Sequence, residues 1–374
     1  MNVLIMIDAF KGTLSSLELG KTMQQVFTSN DIKSDYLPIS DGGEGFHDAI
    51  SHSMNVKSKN VFITDLDGKK RMSNYLYNKD TAYIEVAKLL GFVGFKKRLR
   101  SPLTFTSKAL GEMLIEIHKN GIKKVVIGLG GSLTNDFGLG VISAMGALFY
   151  DKENNIVEPI NPSTITDVYK IDLSPLAIYK DLEIIIASDV ENPLLGPSGA
   201  TYTFAMQKGA SMEEQRILEA SATYFDYLLT QAGGLDVKND KGVGAAGGIA
   251  YVLSSVFNGK IMKGMDFFFN ELYDFKNKQK AYDLIVTGEG KIDEQSLYGK
   301  VCFEVATHTD KPVILVSALL ELDTQMIKDR FSNVMGVYSI VPSLAEKSVS
   351  IEHAHHYFEV LSLNVLKDIK SDVW

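Results

Sequence analysis

Cysteine is almost missing from this chain: Cys302 is the single copy among 374 residues. Without a second thiol an internal disulfide is excluded, and the usage fits a reducing compartment. Nor is there an uninterrupted apolar run of roughly 18 residues, the length a membrane-spanning helix needs. The N-terminus lacks a basic segment leading into a long apolar stretch, because Asp8 interrupts the first apolar run, so no secretory signal is expected. Positive charge is in deficit, since 38 Lys plus Arg against 46 Asp plus Glu leave a net charge of −8. That balance argues against nucleic acid or an anionic membrane as partner, and an anionic small molecule would have to be met by locally placed cations. Low-complexity tracts, sequence repeats and long linkers are absent as well. So are the GxGxxG and GxxxxGK[ST] fingerprints; Gly20-Lys21-Thr22 comes nearest, with Ser15 standing where the first glycine is needed. The missing dinucleotide fingerprint counts against a nicotinamide-dependent oxidoreductase. A soluble, cytoplasmic, globular protein of about two domains is expected, because the length exceeds what one core usually supports.

What the chain does have is a recurring junction, in which an apolar, β-branched run stops at a carboxylate or a glycine cluster. It occurs as VLIMI before Asp8, YLPIS before Asp41, VVIGLGGSLTND, LEIIIAS before Asp189, and LIVTGEG around Glu289. Open α/β sheets bind ligands at the carboxyl ends of their strands, which is where these polar residues collect. Around the junctions the pattern predicts strands at Val3–Ile7, Tyr36–Ile39, Val125–Leu129, Leu182–Ala187, Leu284–Thr287, Val313–Ser317 and Val337–Val341. Helices are expected after Ser15 and Glu18, which have capping-box spacing, and over 44–52, 107–119, 139–149 and 249–256. Between Val61 and Val86 the turns DGKK and NKD separate three strand-like runs, reading as an antiparallel meander and a domain crossing. The expected fold is α/β: a doubly wound, Rossmann- or flavodoxin-like sheet formed by 1–60 plus 281–374, with a mixed α/β domain, 61–280, inserted.

These junctions suit a phosphate-bearing substrate and a divalent metal. Glycines let backbone approach a ligand, and a loop opening onto a helix offers unpaired amides to an anion, so Gly130, Gly131, Ser132, Asn135 and Asp136 are candidates. Mg²⁺ takes carboxylate, water and phosphate oxygens, and an acceptor hydroxyl needs a positioned proton acceptor. Asp8, Asp41, Asp189, Glu289 and Asp293 can share those tasks, while Lys11, Arg100, Lys208 and Lys291 can hold carboxylate or phosphate. Two other features are read as structural. The His353, His355, His356 cluster lies in a segment of helical periodicity without metal-type spacing, and the turn Gly242–Gly248 has the small residues that close helix packing uses.

DAFKGTLS, LPISDGGEG, RSPLTFTS, GLGGSLTND, SDVENPLLGPSGA, QKGA, GAAGG and VTGEGKIDEQSLYGK, in this order, resemble the type I glycerate kinases along nearly the whole chain. The resemblance implies phosphorylation of D-glycerate with ATP and Mg²⁺ to 2- or 3-phosphoglycerate, in a cleft between two α/β domains. It implies Asp189 as general base, with Lys11 and Asp8 as further catalytic residues. Asp41, Glu44, Arg100, Asn192 and Lys208 join the GLGGSLTND residues as substrate or phosphate contacts, and Glu289 and Asp293 become metal ligands. Oligomerisation is left open. This chain departs from the family pattern at Ile7, Ala9, Lys88, Leu90, Ala109, Leu110 and Phe137, and bulkier side chains beside a cleft can change which hydroxy acid fits. A kinase for another small hydroxy acid, or a catalytically silent metabolite-binding paralogue, therefore stand as alternatives.

Overall fold

A computed structural model describes residues 1–91, 101–297 and 299–371. The chain begins with β1 (Asn2–Ile7) and β2 (Lys33–Tyr36). It then runs through β3 (Lys57–Thr64), β4 (Lys70–Tyr77), β5 (Thr81–Glu85), β6 (Lys124–Gly128), β7 (Leu148–Tyr150), β8 (Lys170–Asp172), β9 (Glu183–Ala187) and β10 (Lys260–Met262). It closes with β11 (Leu284–Ile292), β12 (Val313–Leu320) and β13 (Val334–Val341). Two compact units result. The first comprises Met1–Asp41, Gly45–Met54 and Gly264–Trp374, the second Gly42–Glu44 and Asn55–Lys263.

In the first unit an all-parallel sheet has the order β13-β12-β11-β1-β2. Counted along the chain within this sheet that is 2-1-3-4-5, the doubly wound flavodoxin-like order. Val3, Ile5 and Ile7 on β1 and Leu284 and Val286 on β11 pack against helices Ser16–Thr28 and Ala354–Lys370. Because strand side chains alternate, 285, 287 and 289 face the other way. There Cys302, from helix Val301–Thr307, meets Glu289. The capping box is formed as its spacing suggests: Ser15 Oγ accepts from the Glu18 amide at 3.2 Å, and the Glu18 carboxylate accepts from the Ser15 amide at 2.8 Å.

The second unit holds a mixed sheet, β10-β9-β6-β5-β4-β3. β3, β4 and β5 form the antiparallel meander, and β5, β6, β9 and β10 continue in parallel. Its core is separate, built from Ile84, Leu110, Leu114, Ile127, Phe137, Ile186 and Leu253 among others.

Some boundaries differ from the sequence expectation. The second strand is Lys33–Tyr36, with its successor residues in loop, and the helix after DGGEG begins at Phe46. The helix from Leu139 stops at Met145, because Gly146 adopts φ +111 at its C-cap; Leu148–Tyr150 then pairs with β8. β11 runs on through the GEG triplet to Ile292, held by register with β12 from Ile285↔Val313 to Ile292↔Leu320. A Cβ on Gly288 would lie 2.0 Å from the Val316 carbonyl oxygen, so only glycine permits that close pairing. Among the described residues no helix is long and apolar enough to cross a membrane.

Candidate active site

In the second unit the carboxyl ends of β6 and β9 lie side by side, with Gly128 in register with Ala187. The Leu129 amide donates to the Ala187 carbonyl at 3.1 Å, and the Gly130 amide to the Gly42 carbonyl at 3.1 Å. A Cβ on Gly130 would sit 2.4 Å from the Gly43 Cα, so the loop and Gly42–Glu44 meet backbone to backbone. The Leu133 amide donates to the Leu90 carbonyl at 2.8 Å. From behind, GAAGG supports the loop: the Gly247 carbonyl accepts from the Phe137 amide at 2.9 Å, and a Cβ on Gly247 would lie 2.2 Å from the Thr134 carbonyl oxygen.

Lys208 donates through Nζ to the Thr134 carbonyl at 2.7 Å and reaches Ser132 Oγ at 3.4 Å. Burial pushes its ammonium down to about 7, against the opposing pull of Asp136. Thr134 and Asn135 are fully buried; Asn135 Nδ2 donates to Thr201 Oγ1 at 3.3 Å, while Asn135 Oδ1 and Thr134 Oγ1 have no hydrogen-bond partner in the protein. Buried polar atoms of this kind are exceptions in folded proteins and often mark a place where a ligand or water completes the set.

Asp136 has a different part from the phosphate contact expected of it. Its fully buried carboxylate accepts from the Ser107 amide (2.6 Å), Ser107 Oγ (2.9 Å), the Gly138 amide (3.2 Å) and the Gly140 amide (3.0 Å). Burial raises its pKa although all these donors lower it. Its oxygens are spent on shaping the loop. Asn192 is similarly engaged, donating to the Ser198 carbonyl at 2.7 Å and Thr203 Oγ1 at 3.2 Å. Asp189 follows β9 by two residues and is half-buried, and Glu44 is exposed. Arg100 lies outside the described residues.

The remaining candidates gather in the first unit. Asp8, at the end of β1, is buried and its carboxyl is held well above the usual range by burial and by Asp41, with Glu289 adding and Lys11 opposing. Lys11 pairs with Asp41 at 3.1 Å, and its ammonium is raised chiefly by that carboxylate, so it stays charged. Glu289 is buried and raised for that reason, and accepts from the Cys302 thiol at 3.1 Å. Asp293 is less deeply set. Burial raises it, but Lys291 at 3.0 Å and the Gln295 and Ser296 amides at 3.0 and 3.3 Å bring it below the ordinary value.

No group of three or more His, Cys, Asp or Glu that could hold a metal occurs among the described residues. That holds for His353, His355 and His356 too, of which His355 faces Glu18 at 3.7 Å. With both oxygens of Asp293 occupied, Glu289 and Asp293 do not form a ready-made cage. Mg²⁺ needs only one or two carboxylates when phosphate and water supply the rest. Asp8 and Glu289 fit that demand, being buried carboxyls raised chiefly by burial, with Asp41 and Glu289 adding to the rise of Asp8.

The model of the glycerate kinase family, by description "Glycerate kinase family", matches residues 3–370. The chain belongs to the glycerate kinase family. Among curated members of that family, the glycerate kinase of Neisseria meningitidis serogroup B is 31% identical over 367 residues, covering 98% of each chain. The glycerate 2-kinase of Escherichia coli K12 is 31% identical over 352 residues, covering 92% of this chain and 91% of its own. A crystal structure of "putative glycerate kinase 2" from Salmonella typhimurium LT2 superposes with a TM-score of 0.81 at 29% identity, covering 100% of this chain and 99% of the other.

Several departures from the family pattern fall in the core. Leu90, Ala109 and Leu110 are fully buried among apolar neighbours of the second unit. Phe137 is equally buried and takes φ +59, a left-handed conformation that favours the glycine usual there. Lys88 lies 3.8 Å from Glu85. Sequence reasoning missed Ile340 and Ile351, which line a cavity beside Asp8 and Glu289 together with Lys300, the last residue of VTGEGKIDEQSLYGK. Ile340 lies in β13 and Ile351 in the helix Lys347–Glu352, and no local signal distinguishes either.

Proposed function

We propose that this protein transfers the γ-phosphoryl group of ATP to a hydroxyl of D-glycerate, giving 2- or 3-phosphoglycerate and ADP. Membership of the family over residues 3–370 carries the reading. The loop Gly130–Asp136 with Lys208 supports it, because amides, unpaired buried acceptors and a poised ammonium suit a small polyoxygenated anion. Asp189 acts as the general base that takes the hydroxyl proton as the oxygen attacks in line. Lys208 and the loop amides hold anionic oxygen, and Lys11 keeps a fixed positive charge for the phosphates. Mg²⁺ would be held by Asp8 and Glu289, and when bound it supplies charge neutralisation on the phosphates.

Burial of Leu90, Ala109 and Leu110 in the core favours glycerate over another hydroxy acid, since these departures repack the interior. The test is an ADP-release assay with ATP, Mg²⁺ and D-glycerate alongside a panel of small hydroxy acids, with the product's phosphate position read by NMR. D-glycerate is expected to give the highest kcat/KM. Preference for another acid, or no ADP release with any, overturns the reading.

A further inference from the structure

Glycerate has three carbons and almost no apolar surface, yet the first unit contains a cavity that is neither that small nor that polar. It measures about 390 Å³ and opens at the carboxyl edge of the parallel sheet. Its lining includes the apolar Ala318 on β12, Ile340 on β13, and Ile351 on the helix Lys347–Glu352. The lining also includes Lys11, Lys291, Lys300 and Lys347, with the acids Asp8, Glu289 and Asp293.

Three features select the occupant. The volume falls within the roughly 300–1,000 Å³ of small-molecule sites. The position is where the strand order turns back on itself, between β1 and β11, and open α/β sheets bind ligands in the crevice outside that switch point. The mixed lining, apolar side chains together with four lysines, matches a molecule that joins a flat heterocycle to phosphates. A hydroxy acid would leave the apolar side chains uncovered.

We infer that this cavity is the nucleoside subsite of the phosphate donor, with the base against Ala318, Ile340 and Ile351 and the phosphates directed to Lys11 and Lys300. The inference rests on the kinase reading above and adds the place where the donor is bound. Helix Lys347–Glu352 then acts as a specificity-determining wall, although no residue on it takes part in the chemistry.

The test uses the full chain and ADP as probe. Ala318→Phe fills the cavity from the strand side, and Ile351→Glu puts a carboxylate on its rim. Since Ile351 is 54% exposed, the second variant puts little of the core at risk. By calorimetry without glycerate, ADP affinity is expected to fall about 10-fold or more in each variant, which is roughly 1.4 kcal/mol. In turnover assays KM for ATP rises in parallel while KM for glycerate holds. Should Ala318→Phe fail to fold, Ile351→Glu decides alone. Unchanged ADP affinity in a folded Ile351→Glu variant of an active kinase overturns the subsite and leaves the kinase reading standing. ADP binding that is lost in the variants, in a protein that phosphorylates no hydroxy acid, does the reverse.

Discussion

Asp136 and Asp189 are aspartates in loops of the same unit, and both stood as site candidates from sequence. Their surroundings give them opposite responses to loss of charge. Four donors converge on Asp136, two of them backbone amides of the helix entrance. An amide in its place turns an NH₂ toward donors, so Asp136→Asn should cost on the order of 3 kcal/mol of stability, read as a lowered denaturant midpoint. Asp189→Asn should leave the midpoint within about 1 kcal/mol. Its turnover should fall by at least about 100-fold while glycerate still binds. Near-normal turnover would remove Asp189 from the role of base. Lys208 adds a pH signature. Burial sets its pKa at about 7, so its ammonium is charged below that pH and neutral above. An anion it holds is therefore held best on the acid side, and KM for glycerate should rise as pH climbs through about 7. Lys208→Arg, which keeps its charge, should flatten that limb; an unchanged profile would mean that another group titrates.

At the scale of elements, the sequence was most informative where periodicity and turn chemistry agree. The Ser15–Glu18 box, the meander between Val61 and Val86 and the parallel strands of the first unit all announce themselves through local pattern. Less legible were features set by distant partners. β11 extends past its glycines because β12 stays in register beside it, and Asp136 becomes a loop organiser because Ser107, 29 residues away, supplies two donors. Nothing local encodes either. GAAGG shows the same dependence: its glycines read as a packing device, and the packing partner is the segment Thr134–Phe137 that follows β6. Gly247→Ala would place a methyl 2.2 Å from the Thr134 carbonyl oxygen on a φ of +69, so both the loop and the helix must shift. A loss of at least about 2 kcal/mol and a raised KM for glycerate are expected. Gly12→Ala is the matched control. It shares a positive φ, +83, but meets nothing within 4 Å, and should cost only the backbone strain of about 1 kcal/mol. Equal effects of the two would show that strain alone, rather than support of the loop, explains Gly247.

For the whole molecule, the candidate residues divide between two units with separate cores: Asp8, Lys11, Asp41, Glu289 and Asp293 in one, and the glycine loop, Asp189, Asn192 and Lys208 in the other. Sequence listed these residues as one set, because strand-end acids look alike whichever sheet they end. If the first unit binds the nucleoside and the second the hydroxy acid, each ligand should slow amide exchange in its own unit first. A ligand at 100 times its Kd stabilises the state it binds by about 2.7 kcal/mol. That is enough to slow exchange about 100-fold in segments that open only with the bound structure. Hydrogen exchange read by mass spectrometry should therefore show ADP protecting the ends of β1 and β11 and the helix Lys347–Glu352. D-glycerate alone should protect 130–136 and the segment around Lys208. Protection of the glycine loop by ADP alone, with the first unit unchanged, would assign the nucleotide to the second unit and reverse the division of labour argued for the two sheets.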